Sequence, residues 1–301
     1  MNDALVTRNL VKRYGRSRAL DGFTLSVPSR AVLGLVGCNG AGKTTWMMTV
    51  AGFVMPTSGE INILGRGRFN AHVHSGRLAI LPQDSELPLE EKARDLLVRY
   101  ARLQGLAADA AGRAADDLLA AFNLTDKAKA PIRSLSHGMR KRVMVAQAFI
   151  GNPEIVLLDE PLSGLDPVEQ DRMRAFFLSR RGQTTMVISS HQLTDIEKLC
   201  THVAFVSSGR VTGVEALAKL TSDSGRLVYR LRNRPADLAA LEAELAGGRC
   251  AWDDAAHELT VDFDDARTPE GVNAALVPRL LPLGLVAITA GRTLEQAYLG
   301  K

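Results

Sequence analysis

Cysteine is scarce in this sequence, and its placement excludes several kinds of protein. The 301 residues include three cysteines, which stand alone at Cys38, Cys200 and Cys250. Isolated cysteines in odd number provide no disulfide framework, and without a Cys-x-x-Cys pair they do not indicate a zinc or redox site. The pattern is therefore typical of a protein from a reducing cytosol.

A long apolar run is also missing. The first eight residues contain no apolar signal core. Near the end, the apolar-rich residues 280–290 are interrupted by Pro282 and Gly284. That stretch is shorter than the roughly 20 residues that span a bilayer. If the protein serves a membrane, we expect another polypeptide to supply the membrane spans.

The charge balance does not favour nucleic acid as a partner. The net charge is +4, and the one compact basic cluster is Arg140-Lys141-Arg142. We interpret this cluster as a solvated helix face rather than as part of a basic stripe that binds nucleic acid. Apolar residues make up 46% of the chain and charged residues 23%, which is typical of a soluble globular protein. The length suggests two domains.

The glycine-rich segment at residues 37–45 carries the strongest functional signal. It reads GCNGAGKTT and lies between an apolar run at 31–36, which predicts a buried strand, and residues 46–51, which predict a helix. In that context it fits the phosphate-loop pattern G-x-x-x-x-G-K-[ST]. Glycines let backbone N–H groups approach a polyphosphate, and the following helix adds its N-terminal N–H groups. Lys43 would then reach the β- and γ-phosphates, and the Thr44 hydroxyl would bind Mg²⁺.

A pair of carboxylates complements this loop. Residues 155–158 are entirely apolar, as in a strand buried in a parallel sheet, and Asp159 and Glu160 follow them. Ligands bind at the carboxyl ends of strands in α/β sheets. We therefore expect Asp159 to hold Mg²⁺, directly or through water, and Glu160 to polarise the attacking water.

The remaining pattern predicts an α/β domain at residues 1–220 and a small α+β domain at 221–301. The first begins with strands at 4–10 and 23–28 and contains a helical insertion at about 88–150, with breaks near Gly105 and Gly112. Ser136 is a good N-cap for a helix at 139–150. After residue 220 the order βαββαβ predicts a ferredoxin-like fold.

Further motifs stand in a fixed order around the phosphate loop and the carboxylates. Leu135-Ser136-His137-Gly138-Met139 precedes Asp159, residues 163–166 read SGLD, and His191 follows a predicted strand. Together these motifs resemble the set found in ABC-type ATPases, over roughly residues 4–220. The resemblance implies a P-loop NTPase fold with an antiparallel β subdomain, and the function of a Mg-ATP-dependent ATPase.

The resemblance also assigns roles to single residues. Tyr14 would stack on adenine, Gln83 would contact Mg²⁺ and sense a membrane partner, and Ser136 and Gly138 would belong to the signature loop. Asp159 and Glu160 match Walker B, Asp166 the D-loop and His191 the switch histidine, so that Glu160 and His191 would be catalytic. The implied nucleotide-binding residues are Tyr14, Gly37, Asn39, Gly40, Ala41, Gly42, Lys43, Thr44, Thr45, Gln83, Ser136 and Gly138, and the implied metal ligands are Thr44, Gln83 and Asp159.

Partners follow from the same resemblance. A signature loop binds the γ-phosphate of ATP held by a second subunit, which implies a head-to-tail homodimer or a heterodimer with another ATPase. Residues 293–299 resemble the closing segment of ATPase subunits of ABC-2-type exporters, which move drugs, lipids or polysaccharides. The expected location is the cytoplasmic face of a membrane, on a separate permease.

Several alternatives stay open. Taken alone, Tyr14 is compatible with a surface aromatic, Gln83 is a weak signal, and His191 is compatible with an ordinary strand-end histidine. His137 and Met139 depart from the family's usual Leu-Ser-Gly-Gly-Gln, which allows a regulatory module with weak turnover. A soluble ATPase acting on a ribosome or DNA is another alternative, but such relatives usually carry two cassettes or long coiled coils.

Overall fold

The computed structural model describes residues 3–218, 225–245, 248–264 and 267–290. The chain forms two compact units, Met1–Glu215 and Ala216–Lys301. The predicted boundary after residue 220 lies outside the described residues, as does the predicted exporter-like segment at 293–299. No helix in the described part of the chain is long and apolar enough to cross a bilayer.

The first unit alternates strands and helices. Its elements, in chain order, are β1 (Asp3–Tyr14), β2 (Ser17–Pro28), β3 (Val32–Val36), α1 (Lys43–Val50), β4 (Ser58–Ile63), α2 (Ala71–His74), β5 (Leu78–Leu81), α3 (Ala93–Leu103), α4 (Ala108–Ala121), α5 (His137–Phe149), β6 (Ile155–Asp159), α6 (Pro167–Arg180), β7 (Thr185–Ser189), α7 (Leu193–Leu199), β8 (His202–Ser207) and β9 (Arg210–Ala216). The strands β1 and β2 are longer than the sequence predicts, because their pairing continues to the tight turn after Tyr14.

Two sheets organise these elements. An antiparallel sheet has the order β2-β1-β4, and a six-stranded sheet has the order β5-β6-β7-β3-β8-β9. The pairs from β5 through β8 are parallel, so their carboxyl ends meet at one edge. The phosphate loop follows β3, Gln83 lies just beyond β5, Glu160 follows β6, and His191 lies just beyond β7. Sheet topology therefore brings the predicted site residues to one edge.

The core joins α1 to both sheets. Trp46 is fully buried on α1, its ring stacks on Phe23 of β2 with centroids 5.6 Å apart, and its Nε1 donates to Thr7 Oγ1 at 3.2 Å. Leu33 and Leu35 of β3 belong to the same apolar cluster. Burying a tryptophan removes a large apolar surface from water, and here it fixes the helix that begins with Lys43.

The helical insertion predicted at about 88–150 contains α3, α4 and α5. The predicted break between two helices is found at Gly105, which lies between α3 and α4 and has a φ of +93°. The predicted break near Gly112 is wrong, because Gly112 lies inside α4, where alanine-rich neighbours sustain the helix. Arg94 of α3 forms two hydrogen bonds to Asp116 of α4, at 2.7 and 2.8 Å, which links the two helices.

The strands β8 and β9 were not expected from the sequence. The apolar run at residues 203–206, followed by a turn at Ser208 and Gly209, is the signal that identifies them. They extend the parallel sheet beyond β3. Their turn also contacts the phosphate loop, because Gly209 N donates to Ala41 O at 2.9 Å.

The second unit has the predicted βαββαβ order. Its elements are β10 (Arg226–Leu231), α8 (Leu238–Glu244), β11 (Arg249–Asp253), β12 (Glu258–Asp262), α9 (Pro269–Leu280) and β13 (Leu285–Ala290). The antiparallel sheet has the order β11-β12-β10-β13, which is the ferredoxin-like arrangement. Tyr229, Leu241 and Leu276 lie in its apolar core, and the Tyr229 hydroxyl donates to Asn273 Oδ1 at 2.8 Å.

Gly34 in β3 lies where the sheet leaves no room for a larger side chain. A Cβ at this position would lie 2.5 Å from Ile196 Cγ2 and 3.1 Å from Cys200 Sγ, both on the α7 side of the sheet. We expect Gly34→Ala to lower the free energy of unfolding by about 1–3 kcal/mol through overpacking. A urea titration followed by circular dichroism measures this change.

Gly213→Ala in β9 is the matched control, because its Cβ would meet only Phe205 Cδ2 at 3.9 Å. The control should be as stable as the parent chain or slightly more stable, since alanine restricts the unfolded chain. Equal stability of the two variants would contradict the packing of α7 on β3.

Candidate functional site

A cleft of about 220 Å³ opens at the carboxyl edge of the parallel sheet. It is lined by Asn39, Gly40, Ala41, Gly42, Lys43, Thr44, Thr45, Gln83, Asp159 and Glu160. These residues come from three separate parts of the sequence. The structure thus brings together the predicted phosphate loop, the predicted Q-loop residue and the two carboxylates.

The phosphate loop depends on a glycine where it enters α1. Gly42 precedes the helix with a φ of +108° and a ψ of 1°, a conformation that other residues rarely adopt. A Cβ on Gly42 would also lie 2.7 Å from Ala19 O. No side chain caps α1, so its first N–H groups point toward the cleft without a side-chain partner. Such N–H groups form an anion-binding site.

Lys43 places a cation inside this loop. The residue is 7% exposed, and its Nζ donates to Gly37 O at 2.5 Å and to Cys38 O at 3.1 Å. The ammonium group is therefore held by two loop carbonyls at the position where a polyphosphate would lie. Its remaining donor capacity is available to an anion in the cleft.

The carboxylates are held by the neighbouring strand. Ser189 Oγ, at the end of β7, donates to Asp159 Oδ1 and accepts from Glu160 N at 2.9 Å. Glu160 adopts a φ of +49°, which is unusual for a residue with a side chain. His191 Nδ1 lies 2.8 Å from Glu160 Oε2. The turn after β6 is therefore fixed by β7 on one side and by His191 on the other.

One oxygen of this group fits a metal ion. Asp159 is 1% exposed, and its Oδ2 is buried without a hydrogen-bond partner in the described part of the chain. Leaving a carboxylate oxygen unpaired in the interior is costly, so a cation is the expected partner. No group of three or more His, Cys, Asp or Glu side chains within the described ranges suits a metal. Mg²⁺ is bound by one or two carboxylates together with phosphate oxygens and water, so a single buried carboxylate beside the phosphate loop suits it.

The basic cluster at residues 140–142 is not a solvated helix face, and that prediction is wrong. Lys141 is 7% exposed and Arg142 is 4% exposed on α5. Arg142 Nη1 donates to Phe122 O at 2.6 Å, and its Nε lies 2.9 Å from a carboxylate oxygen of Glu169 on α6. Arg142 can be buried because these partners compensate its charge, and both lie far away in sequence.

Lys141 belongs to the electrostatics of the cleft. Burial lowers the pKa of Lys141 below its ordinary value. The negative charges of Glu160 and Asp159, and that of Asp84 beside the predicted Q-loop residue, oppose this shift. The sequence did not identify Lys141 as a residue near the site, because only the fold brings α5 near the carboxylates.

Four predicted nucleotide-binding residues do not line the cleft, namely Gly37, Tyr14, Ser136 and Gly138. Gly37 still contributes indirectly, because its carbonyl accepts from Lys43 Nζ. Tyr14 ends β1 and is 52% exposed, with Lys12 Nζ 4.9 Å from its ring centroid. Ser136 caps α5, where its Oγ accepts from Met139 N at 3.2 Å. Gly138 lies in the first turn of the same helix. The predicted signature loop of this chain therefore lies outside the cleft formed by its own phosphate loop.

The fold and the cleft define a P-loop nucleotide-binding domain. The family model described as "ABC transporter" matches residues 20–163. Over 294 residues the chain is 32% identical to a Nod factor export ATP-binding protein I of Burkholderia thailandensis, covering 96% of this chain and 93% of that protein. Over 227 residues it is 34% identical to the daunorubicin resistance ATP-binding protein DrrA3 of Streptomyces coeruleorubidus, covering 74% and 71%. The chain belongs to the ABC transporter family and is one of its ATP-binding proteins.

A solved structure agrees with this assignment. The structure described as the ATP binding subunit of an ABC transporter superposes with a TM-score of 0.65 at 26% identity. The match covers 72% of this chain and 91% of the other. The predicted P-loop fold of ABC type is therefore confirmed.

Proposed function

We propose that this chain is the ATP-hydrolysing subunit of a membrane exporter and that it drives a separate permease. The main support for the proposal is the position of the Glu160 carboxylate. Its carboxylate contacts His191 at 2.8 Å and lies in the same cleft as the phosphate loop. A carboxylate in that position can orient water against the terminal phosphate of a bound nucleotide.

The phosphate loop and its Lys43 would bind the phosphates. The N–H groups at the start of α1 would donate to phosphate oxygens, and Lys43 Nζ would exchange a loop carbonyl for the β- or γ-phosphate. Mg²⁺, held by Asp159, Thr44 and Gln83, would neutralise charge on the phosphates. Phosphoryl transfer depends mainly on this positioning and neutralisation.

Glu160 would accept the proton during hydrolysis. The carboxylate would accept a hydrogen bond from the attacking water and take its proton as the general base. His191 would hold Glu160 in the productive orientation and contact the γ-phosphate. The hydrogen bond from Glu160 N to Ser189 Oγ at 2.9 Å fixes the backbone that presents this carboxylate.

A second ATPase subunit is part of the proposal. Ser136 and Gly138 lie outside their own chain's cleft, at the exposed N-terminus of α5. A Cβ at Gly138 would make only ordinary contacts within this chain, the nearest at 3.4 Å from Glu169 Cγ. The fold of one chain therefore does not require glycine there, whereas close approach of a partner's phosphate would. A head-to-tail homodimer, or a heterodimer with another ATPase, supplies that phosphate.

Export of a drug, lipid or polysaccharide is proposed from the relatives. One relative is named for Nod factor export and another for daunorubicin resistance. The permease would select the transported molecule and would hold this chain at the inner face of the membrane. Gln83, in the cleft, is the residue through which the permease would sense ATP.

Glu160→Gln tests the catalytic assignment. The amide retains the shape of the carboxylate but cannot accept a proton, so we expect kcat to fall by about 10²- to 10⁴-fold. The affinity for Mg-ATP should stay within about threefold, since a neutral side chain does not remove phosphate contacts. Phosphate release and fluorescent-nucleotide titration measure the two quantities. Appreciable steady-state hydrolysis by the variant would remove Glu160 from this role.

Lys43→Ala is the contrasting variant in the same assays. It removes charge-assisted hydrogen bonds to the phosphates, each of which contributes about 1.5–3 kcal/mol. We therefore expect ATP affinity to fall by about 10- to 100-fold. Unchanged affinity would contradict the assignment of the phosphate loop.

The permease is tested by isolation of the complex from the native membrane. We expect a mild-detergent pull-down of the tagged chain to recover a multi-span protein in near-equal amount, identified by mass spectrometry. The Glu160→Gln variant serves as a matched bait, because it should retain the same partner. Recovery of soluble partners alone, with the chain absent from the membrane fraction, would contradict the transporter assignment.

A further inference from the structure

Two predicted site elements, residues 163–166 and His191, are connected by a series of side-chain and backbone contacts through α6 and α7. We propose that Arg174 and Asp195 are positioning residues that hold His191 in a fixed relation to the 163–166 loop and so set the rate of ATP hydrolysis. This inference rests on the proposed function. It assigns roles to two residues that the sequence motifs do not include.

The connection begins at the loop. Gln170 Nε2, in the first turns of α6, donates to Leu165 O at 3.2 Å. Its Oε1 accepts from Arg174 Nη2 at 2.8 Å, one helical turn later. Asp166 caps the same helix by accepting from Glu169 N at 2.9 Å. The end of the loop is therefore tied to α6 by both backbone and side chain.

The connection then crosses from α6 to α7, which pack against each other. Arg174 Nε and Nη2 both donate to Asp195 Oδ1, at 3.0 and 2.7 Å. The side chains are 13% and 2% exposed, respectively. A buried pair of this kind is strongly disturbed when one partner is removed, because the other charge is left without compensation.

The last part runs from Asp195 to the catalytic carboxylate. Asp195 lies in the first turn of α7, four residues after His191, and its N donates to Gln192 O at 3.2 Å. His191 Nδ1 contacts Glu160 Oε2 at 2.8 Å. A change in the position of α7 would therefore change the position of the imidazole beside Glu160.

This arrangement gives Arg174 a function beyond stability. The residue lies on α6, the helix that begins at the 163–166 loop, and it pairs with α7, the helix that follows His191. In the proposed dimer, the loop would lie near the second subunit. Breaking the pair would leave the phosphate loop and its contacts unchanged, so nucleotide binding and turnover should separate.

The test is a set of steady-state kinetic measurements on the full chain with Mg-ATP. We expect Asp195→Asn and Arg174→Met each to lower kcat about tenfold, with the KM for ATP within about twofold of the parent value. The double variant should be no slower than the slower single variant, because both changes break one link. Rates are normalised to the fraction of protein that binds ATP, and the isosteric Asp195→Asn provides the result if Arg174→Met does not fold.

Asp171→Asn is the matched control. Asp171 accepts from the same arginine, at 2.6 Å from Nη1, but its side chain is 74% exposed and lies on α6 itself. We expect kcat of this variant to stay within about twofold of the parent, because exposed pairs contribute little. Parent-like kcat in ATP-binding Asp195→Asn would overturn the inference, as would an equal loss of kcat in the Asp171 control. Absence of hydrolysis by the parent chain would instead overturn the proposed function.

Discussion

The site is built around a buried carboxylate that has one hydrogen-bonded oxygen and one unpaired oxygen. Asp159 is almost fully enclosed, Ser189 donates to Oδ1, and Oδ2 has no hydrogen-bond partner among the residues that the structure describes. A protein interior does not tolerate such a group unless a cation compensates it. Lys43 lies across the same cleft, held by loop carbonyls, and supplies the opposite charge for an anion. In the proposed function, this cleft would hold a metal ion and a polyphosphate together, and the chain is an ATP-binding protein of the ABC transporter family.

This constraint also explains how the fold is arranged around the cleft. The parallel pairing of β6, β7 and β3 puts Asp159, the Ser189 hydroxyl and the phosphate loop at one edge. The buried Trp46 fixes α1, and with it Lys43, against both sheets. The α5 terminus, by contrast, lies outside this cleft. The phosphate loop and the carboxylates are thus assembled within one chain, and in the proposed dimer the signature loop would come from a second subunit.

Local patterns predicted much of this structure. Apolar runs identified β3, β6 and β7, and the glycine pattern identified the phosphate loop before any fold was known. Short apolar segments next to a helix are ambiguous, which is why β8 and β9 were missed. The burial of Lys141 and Arg142 could not be predicted, since their charge partners Glu160 and Glu169 lie far away in sequence. The pairing of Arg174 with Asp195 has the same origin, because only the packing of α6 on α7 creates it.

In the proposed dimer, each chain contributes part of a shared ATP site. The most direct test of this arrangement is the molar mass of the Glu160→Gln variant, measured by light scattering after size-exclusion chromatography with and without Mg-ATP. We expect the mass of one 32.5 kDa chain without nucleotide and twice that mass with Mg-ATP. ATP binding without any change in mass would contradict a site shared by two copies of this chain.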